Sequence, residues 1–425
     1  MAVDVLLKPD LRRRLRRLGK ADLVVGIPSC NNVRTIGHVV RAVQMGLAKY
    51  FPAAKAVLVD ADGGSTDDTI RTVEETGPGG YDLLFAAQPV HPLQCIATPY
   101  HGVPGKGNAL RTVFRVAVEL EATACAVVDA DLRSIEPAWM DLLLSPVMGG
   151  YDLVAPLYHR HKFDGTLTTG IVYPLTRALY GLRIRQPTGG DFGFSAALAR
   201  HFLEQSVWEA DVAGSGIDTW MTTVAATGGF RICEAFLGAK IRDAGEPGLD
   251  LAQMLRQVVG AVFDLMESRE AFWKEVRGSR PVPLFGLEHE VGREPVPVDP
   301  DRMVRGFRIG RAELGELWSR ALRPETARQL GSLETGDPAR FRLPAELWVR
   351  IVHDFAVAHH RRVLDRSHLL RSFAPLFQGR VASYVREAWD ASAAQVEVMQ
   401  EQICLSFEEL KGELLDLWEG SGRSS

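Results

Sequence analysis

Apolar residues in the first half of the chain fall into short solid runs and longer, spaced stripes. Leu23-Val-Val-Gly-Ile27 is a solid run with polar neighbours, the pattern of a strand buried on both faces. Pro28-Ser-Cys-Asn-Asn32 reads as a turn, and from Thr35 the positions Ile36, Val39, Val40, Val43 and Leu47 recur at helical spacing. Ala56-Val-Leu-Val59 predicts a second strand, which runs into Asp60-Ala-Asp62-Gly-Gly-Ser65-Thr-Asp67. Leu83-Leu-Phe-Ala-Ala87 predicts a third. Gly102-Val-Pro-Gly105-Lys106-Gly107-Asn108 then opens a helix with Leu110, Val113, Phe114 and Ala117 on its inner face. Ala124-Cys-Ala-Val-Val128 is a wholly apolar strand that ends in Asp129-Ala-Asp131, and Asp152-Leu-Val-Ala-Pro156 is another. Strands alternating with helices predict a mostly parallel sheet.

Beyond about residue 245 the strand pattern fades. Leu255, Val258, Val259, Val262, Phe263 and Met266 mark one long helix over 251–276. Residues 278–301, rich in Pro and Gly, read as a linker or extended arm. Leu347, Ile351, Phe355 and Ala358 form a helical stripe with Pro344 placed for its first turn. A last helical pattern runs from about 391 to 418. At the other end, residues 1–21 form a basic arm whose Leu11, Leu15 and Leu18 share one stripe among arginines. That stripe suits a docking helix or solvated arm better than an anionic surface. The expected organisation is an α/β domain over 22–245 and a mainly helical region over 246–425.

Composition narrows this picture in four ways. A chain of 425 residues exceeds one ordinary core, which supports two domains. A net charge of −4 argues against nucleic acid as a partner. No apolar run approaches the ~20 residues of a membrane-spanning helix. The N-terminus lacks a signal-peptide pattern, and cysteines scattered at 30, 95, 125, 233 and 404 form neither a disulfide framework nor a zinc site. The expected compartment is the cytoplasm.

The candidate chemistry sits in four polar loops that follow strands or open helices. Asp129 and Asp131 emerge from a buried strand where ligands of open α/β sheets bind. In an extended chain they share a side, and two hard oxygen donors suit Mg²⁺ or Mn²⁺ and, through it, a diphosphate; alone, the pair reads equally well as two caps. Asp62-Gly-Gly-Ser65-Thr-Asp67 offers a carboxylate for a base or ribose, with Asp67 as a helix cap. Gly105-Lys106-Gly107 puts a cation at a helix start, where backbone amides also attract phosphate. Gly189-Gly190-Asp191-Phe-Gly193 holds a carboxylate in a turn open to a sugar. Singly each is an ordinary turn or cap; their order together suits a nucleotide-sugar donor.

In that order, residues 22 to about 245 resemble the GT-A glycosyltransferases, whose sheet is Rossmann-like. The resemblance is to the retaining family of glucosyl-3-phosphoglycerate and glucosylglycerate synthases. The matching runs are Pro28-Ser-Cys-Asn31, Asp62-Gly-Gly-Ser65-Thr-Asp67-Asp68-Thr69, Pro104-Gly-Lys106-Gly-Asn-Ala-Leu110, Asp129-Ala-Asp131 and Gly189-Gly-Asp191. The resemblance implies donor contacts from Pro28, Asn31, Asp62, Ser65, Lys106, Asp129 and Ala130, with Lys106 on the diphosphate. It implies Asp131 as the direct ligand of a divalent metal. Gly190, Asp191 and Thr168 would meet the acceptor, with Asp191 and Lys106 as the catalytic pair. The implied reaction moves glucose from a UDP- or GDP-glucose donor to D-glycerate, or alternatively to 3-phosphoglycerate. A homo-oligomer is expected apart from the resemblance, with the C-terminal helices and the arm at 278–301 as contacts between subunits.

Three departures qualify the resemblance. Asn31-Asn32 stands where the family has Asn-Glu. Lys240-Ile-Arg242-Asp243 places Arg242 where the family has a metal-binding His, and a guanidinium cannot ligate a metal. Asp243 is the nearest substitute, although alternation aims it the other way. Phosphoglycerate users carry a Gly-Arg-Val-Thr run that holds the acceptor phosphate; here it reads Gly165-Thr-Leu-Thr168, without the cation. Unphosphorylated glycerate is therefore expected, with Arg160, His161 and Lys162 as the residues that keep the phosphorylated acceptor in play. A sugar nucleotidyltransferase is the rival enzyme, but its glycine-rich phosphate loop is absent after the first strand. A nucleotide-sugar-binding protein without catalysis is the rival that Arg242 motivates.

Overall fold

The computed structural model describes residues 9–77, 94–99, 106–205, 216–243, 251–333 and 337–420. Its strands are β1 (Leu23–Ser29), β2 (Ala56–Asp62), β3 (Gln94–Pro99), β4 (Ala124–Val127), β5 (Leu153–His159), β6 (Leu182–Arg183), β7 (Phe192–Phe194), β8 (Ile232–Ala239), β9 (Arg280–Pro281) and β10 (Leu284–Phe285). Eight form one sheet in the order β10-β8-β5-β7-β4-β1-β2-β3, and β6 pairs with β9 apart from it. Within the large sheet β7 runs antiparallel to both its neighbours, and the other pairings are parallel. The expected mostly parallel sheet is present. The strand candidate at Leu83–Ala87 lies outside the described residues; the strand beside β2 is β3.

Contacts divide the chain into two units. The first comprises Met1–His159, Gln186–Gly248 and Val282–Gly292; the second comprises Arg160–Arg185, Leu249–Pro281 and Arg293–Ser425. The boundary expected near 245 is one of several crossings, since residues 160–185 pack with the helices.

In the first unit, alternation along the strands builds a core on each face of the sheet. Leu23, Val25 and Ile27 of β1 join Val39, Val40, Val43 and Leu47 of the helix Ile36–Tyr50 and Leu143 of the helix Ala138–Met148. Oppositely, Phe114 of the helix Lys106–Glu119 meets Phe194 of β7 edge-on at 5.1 Å. Gly193 lets the helix Ala138–Met148 lie close: a Cβ there would stand 2.0 Å from the Leu143 carbonyl oxygen. The basic N-terminal segment is a helix, Pro9–Leu18, with Leu11 and Leu15 buried, as a docking helix requires.

The second unit is mainly helical. The stripe at Leu347, Ile351, Phe355 and Ala358 is buried in the helix Ala345–His360, which Pro344 precedes by one residue. The long pattern at 251–276 ends early, with helices Leu251–Ser268 and Glu270–Trp273 on either side of Arg269. Arg177, fully buried, is gripped by both oxygens of Glu401 at 2.6 and 2.8 Å and by Glu408 at 2.8 Å. Among the described residues no helix is long and apolar enough to cross a membrane.

Candidate active site

Two polar clusters of the first unit collect the residues that the sequence singles out. One joins the end of β1 to the end of β2. The Asn31 N–H donates to Ser65 Oγ at 2.8 Å, and Asn31 Oδ1 accepts the Thr66 N–H at 2.8 Å, with Asn31 at φ 55°. Asp62 is buried, and its Oδ1 accepts the backbone N–H groups of Gly64 and Ser65 at 2.8 and 2.9 Å. Its carboxylate therefore stitches its own loop. Asp67 accepts the Thr69 N–H at 3.0 Å and the Val33 N–H at 3.2 Å, tying the first turn of the helix Thr69–Thr76 to the β1 loop. Pro28 lies on β1, half-buried.

Beneath this loop lies a group absent from the sequence-based list. Asp60, wholly buried on β2, accepts Ser29 Oγ at 2.6 Å, while its Oδ2 has no hydrogen-bond partner among the described residues. Burial pushes its carboxyl up to about 7, against the Ser29 hydrogen bond and helped by nearby Asp62.

The second cluster surrounds Asp129, just past β4. Lys106 Nζ donates to Asp129 Oδ1 at 2.7 Å; Lys240 Nζ and Arg242 Nη2 donate to Oδ2 at 2.8 and 2.7 Å. Burial alone would raise the Asp129 carboxyl, but Lys106, Lys240 and Arg242 together hold it well below the usual carboxylate range. Lys106 also donates to Gly190 O at 3.2 Å and lies 3.2 Å from Asp218, which is likewise buried. Those carboxylates outweigh the effect of its burial and hold the ammonium above its ordinary range.

Asp191 is fully buried, with both oxygens engaged. Oδ1 accepts the Asp129 N–H at 2.7 Å, and Oδ2 accepts Lys240 at 2.6 Å and the Tyr158 hydroxyl. Here the structure differs from the expectation of a carboxylate aimed at a sugar: Asp191 faces inward and holds the backbone of Asp129. Gly190 is required beside it, since at φ 91° a Cβ would stand 2.3 Å from Asp129 Oδ2. Lys240, Asp218 and Tyr158 were missed by sequence reasoning. For Lys240 a signal existed: a lysine at the end of an apolar strand, two residues before Arg242.

Asp131 is more exposed than Asp129, at 35% of its side chain against 11%. Among the described residues its buried Oδ1 has no hydrogen-bond partner, and burial raises its carboxyl although Arg242 opposes this. Both carboxylates lie against Arg242. The segment past β4 is laced to the end of β8: Arg133 N–H donates to Ile241 O and Asp243 N–H to Asp131 O, both at 2.8 Å. This lacing brings Arg242 Nε to 3.8 Å from Asp131 Oδ1. Asp243, the nearest substitute for the family's His, pairs with Arg34 at 3.4 Å. No group of three or more His, Cys, Asp or Glu suited to a metal occurs among the described residues. Ala130 is buried, and its carbonyl accepts Thr35 Oγ1 at 2.7 Å. Thr168 begins a π-helix, Thr168–Val172, in the other unit, beside a cleft lined by Thr166, Thr169, Trp348, Phe377 and Tyr384.

Comparison with known proteins adds to this geometry. The sequence model described as "Mannosylglycerate synthase, GT domain" matches residues 35–268, more than half of the chain. No curated protein matches the sequence at a significant level. Among solved structures, glucosyl-3-phosphoglycerate synthase from Mycobacterium tuberculosis, in complex with Mn²⁺, UDP and glucosyl-3-phosphoglycerate, aligns with 61% of this chain and 84% of its own. The identity is 19% and the TM-score 0.43. The same enzyme with Mg²⁺ and UDP aligns with 60% and 82%, at 20% identity and a TM-score of 0.42. The sheet order, the helical second unit and the matched residues agree on one conclusion: the chain belongs to the mannosylglycerate synthase family of GT-A glycosyltransferases.

Proposed function

We propose that this protein transfers a hexose from a nucleoside-diphosphate sugar, UDP- or GDP-linked, to the 2-hydroxyl of D-glycerate with retention at the anomeric carbon. The observation that carries the reading is the end of β4 in a glycosyltransferase domain: Asp131 presents a buried, unpartnered oxygen beside the cations that hold Asp129. Glucose is the hexose expected from the sequence; mannose is the second reading, because the matched family is described by it.

Asp131 fits a divalent metal in a limited way. Mg²⁺ is commonly held by one or two carboxylates together with substrate phosphates, so one free carboxylate oxygen suffices if the donor brings the rest. Asp131 would hold Mg²⁺ or Mn²⁺, which when bound neutralises charge on the diphosphate. The acceptor oxygen forms the new bond to the anomeric carbon as the bond to the diphosphate breaks, and the acceptor proton ends on the departing diphosphate. Asp191 contributes by fixing the Asp129 backbone and not as a nucleophile, since both its oxygens are engaged inside the protein.

The unphosphorylated acceptor is favoured by how the second unit uses its cations. Arg160 pairs with Asp164 at 3.4 Å, and Lys162 donates to the Trp389 and Ala391 carbonyls at 2.6 and 3.2 Å. Neither is spare to replace the cation missing from Gly165–Thr168. Free thiols at Cys30, Cys125, Cys233 and Cys404 support a reducing, cytoplasmic setting. A matrix of UDP- and GDP-linked glucose and mannose against D-glycerate and 3-phosphoglycerate, with Mg²⁺, tests the reading. Product is expected with glycerate; a clear preference for phosphoglycerate, or no transfer from any donor, overturns it.

A further inference from the structure

We propose that Arg242 is the cation that grips the donor's diphosphate; this rests on the nucleoside-diphosphate reading above. The three cations around Asp129 differ in what they have left to give. Lys106 has three N–H donors and three acceptors close by: Asp129 at 2.7 Å, Gly190 O at 3.2 Å and Asp218 Oδ2 at 3.4 Å. Lys240 is in the same position, with Asp129, Asp191 and Gly189 O at 2.8, 2.6 and 2.6 Å, and its side chain is 1% exposed. Both ammonium groups are spent within the protein.

Arg242 is not. A guanidinium carries five donors, and here one nitrogen is committed, to Asp129 at 2.7 Å. Its Nε, at 3.8 Å from Asp131, is beyond hydrogen-bonding distance, and among the described residues Nη1 has no partner. The side chain is 48% exposed, so Arg242 is open to solvent as the Lys240 ammonium is not. Asp129 and Asp131 keep it charged despite partial burial, and the bond to Asp129 fixes its plane. A planar fork held in place matches two phosphate oxygens at once, which a lone ammonium does not. Arg242 Nε stands 3.8 Å from Asp131 Oδ1, so the diphosphate that a metal on Asp131 would share lies within reach of the guanidinium. Carboxylates outnumber cations here, with Asp129, Asp131, Asp191 and Asp218 against Lys106, Lys240 and Arg242; without an exposed cation an anionic ligand would be repelled.

Calorimetric titration with UDP, GDP, uridine and guanosine, in chelator and in Mg²⁺, tests this on the wild type, Arg242→Gln and Arg242→Lys. In chelator the wild type is expected to bind one nucleoside diphosphate more tightly than its nucleoside. Arg242→Gln should weaken that diphosphate about 10- to 100-fold, as lost charge-assisted bonds do, with nucleoside affinity unchanged. Arg242→Lys should recover part of the loss by charge without the fork. Equal diphosphate affinity for Arg242→Gln and wild type overturns the role of Arg242 and leaves the donor reading standing. A wild type that prefers neither diphosphate over its nucleoside in either condition overturns both.

Discussion

Lys240 is a single side chain on which two buried carboxylates depend. Its ammonium joins Asp129 and Asp191, both buried, and adds the Gly189 carbonyl. Removing one partner of a buried ion pair typically costs about 3–5 kcal/mol, because the other charge stays behind. Lys240→Met is therefore expected to lower the unfolding free energy, measured by denaturant titration, by an amount of that order, and adding Asp191→Asn should restore part of it. A shift of under about 1 kcal/mol would mean that Asp191 finds another partner. Asp60 makes a different prediction. Its folded carboxyl is raised to about 7 from an ordinary 3.8, so the folded state favours the protonated form. The stability it contributes is present below the unfolded value and is lost as pH rises through about 7. Melting temperatures from pH 5 to 8 should fall more steeply for the wild type than for Asp60→Asn, whatever the offset between them. Parallel slopes would show Asp60 ionised throughout. Asp60 does not stand out in the sequence, because an aspartate two residues before a strand's end reads as part of the polar turn until its neighbours are known.

At the scale of elements, periodicity was a good guide wherever a stripe faces one core. The positions expected inside the helices at 36–50, 106–119 and 345–360 are buried. Periodicity failed where pairing decides the structure. β7 has three residues, and β10 two, too few to alternate detectably; each exists because a neighbouring strand offers a free row of hydrogen-bonding groups. The Pro- and Gly-rich stretch at 278–301, read as a linker, contributes that β10 pair to the edge of β8. A chain ending at residue 245 would leave the β8 edge uncovered and the helical partners of 160–185 missing. Such a truncation is expected to aggregate or to bind an apolar dye in gel filtration; a monomer with a cooperative thermal transition would refute that.

For the whole molecule, two domains and a nucleotide-sugar fold were legible because composition and loop chemistry are local. The loops at 62–67, 129–131 and 189–191 carried the family resemblance, and the family match agrees. The path of the chain between units was not legible. Residues 160–185 look like a continuation of the α/β domain, yet Ile171, Val172, Leu175 and Leu179 bury themselves within the helical unit. Arg242 shows the same limit: its place could be named from sequence, but which of its donors remained free required the coordinates of Asp129 and Asp131.

The late arrival of β10 bears on how the protein is made. β8 ends at Ala239 and its edge partner begins at Leu284. At the ~5–20 residues per second of synthesis, the nascent sheet carries an open edge for roughly 2–9 s while the intervening helices emerge. During that interval neighbouring chains on one message hold matching open edges, so crowded translation is the stage at which this fold is most exposed to mispairing.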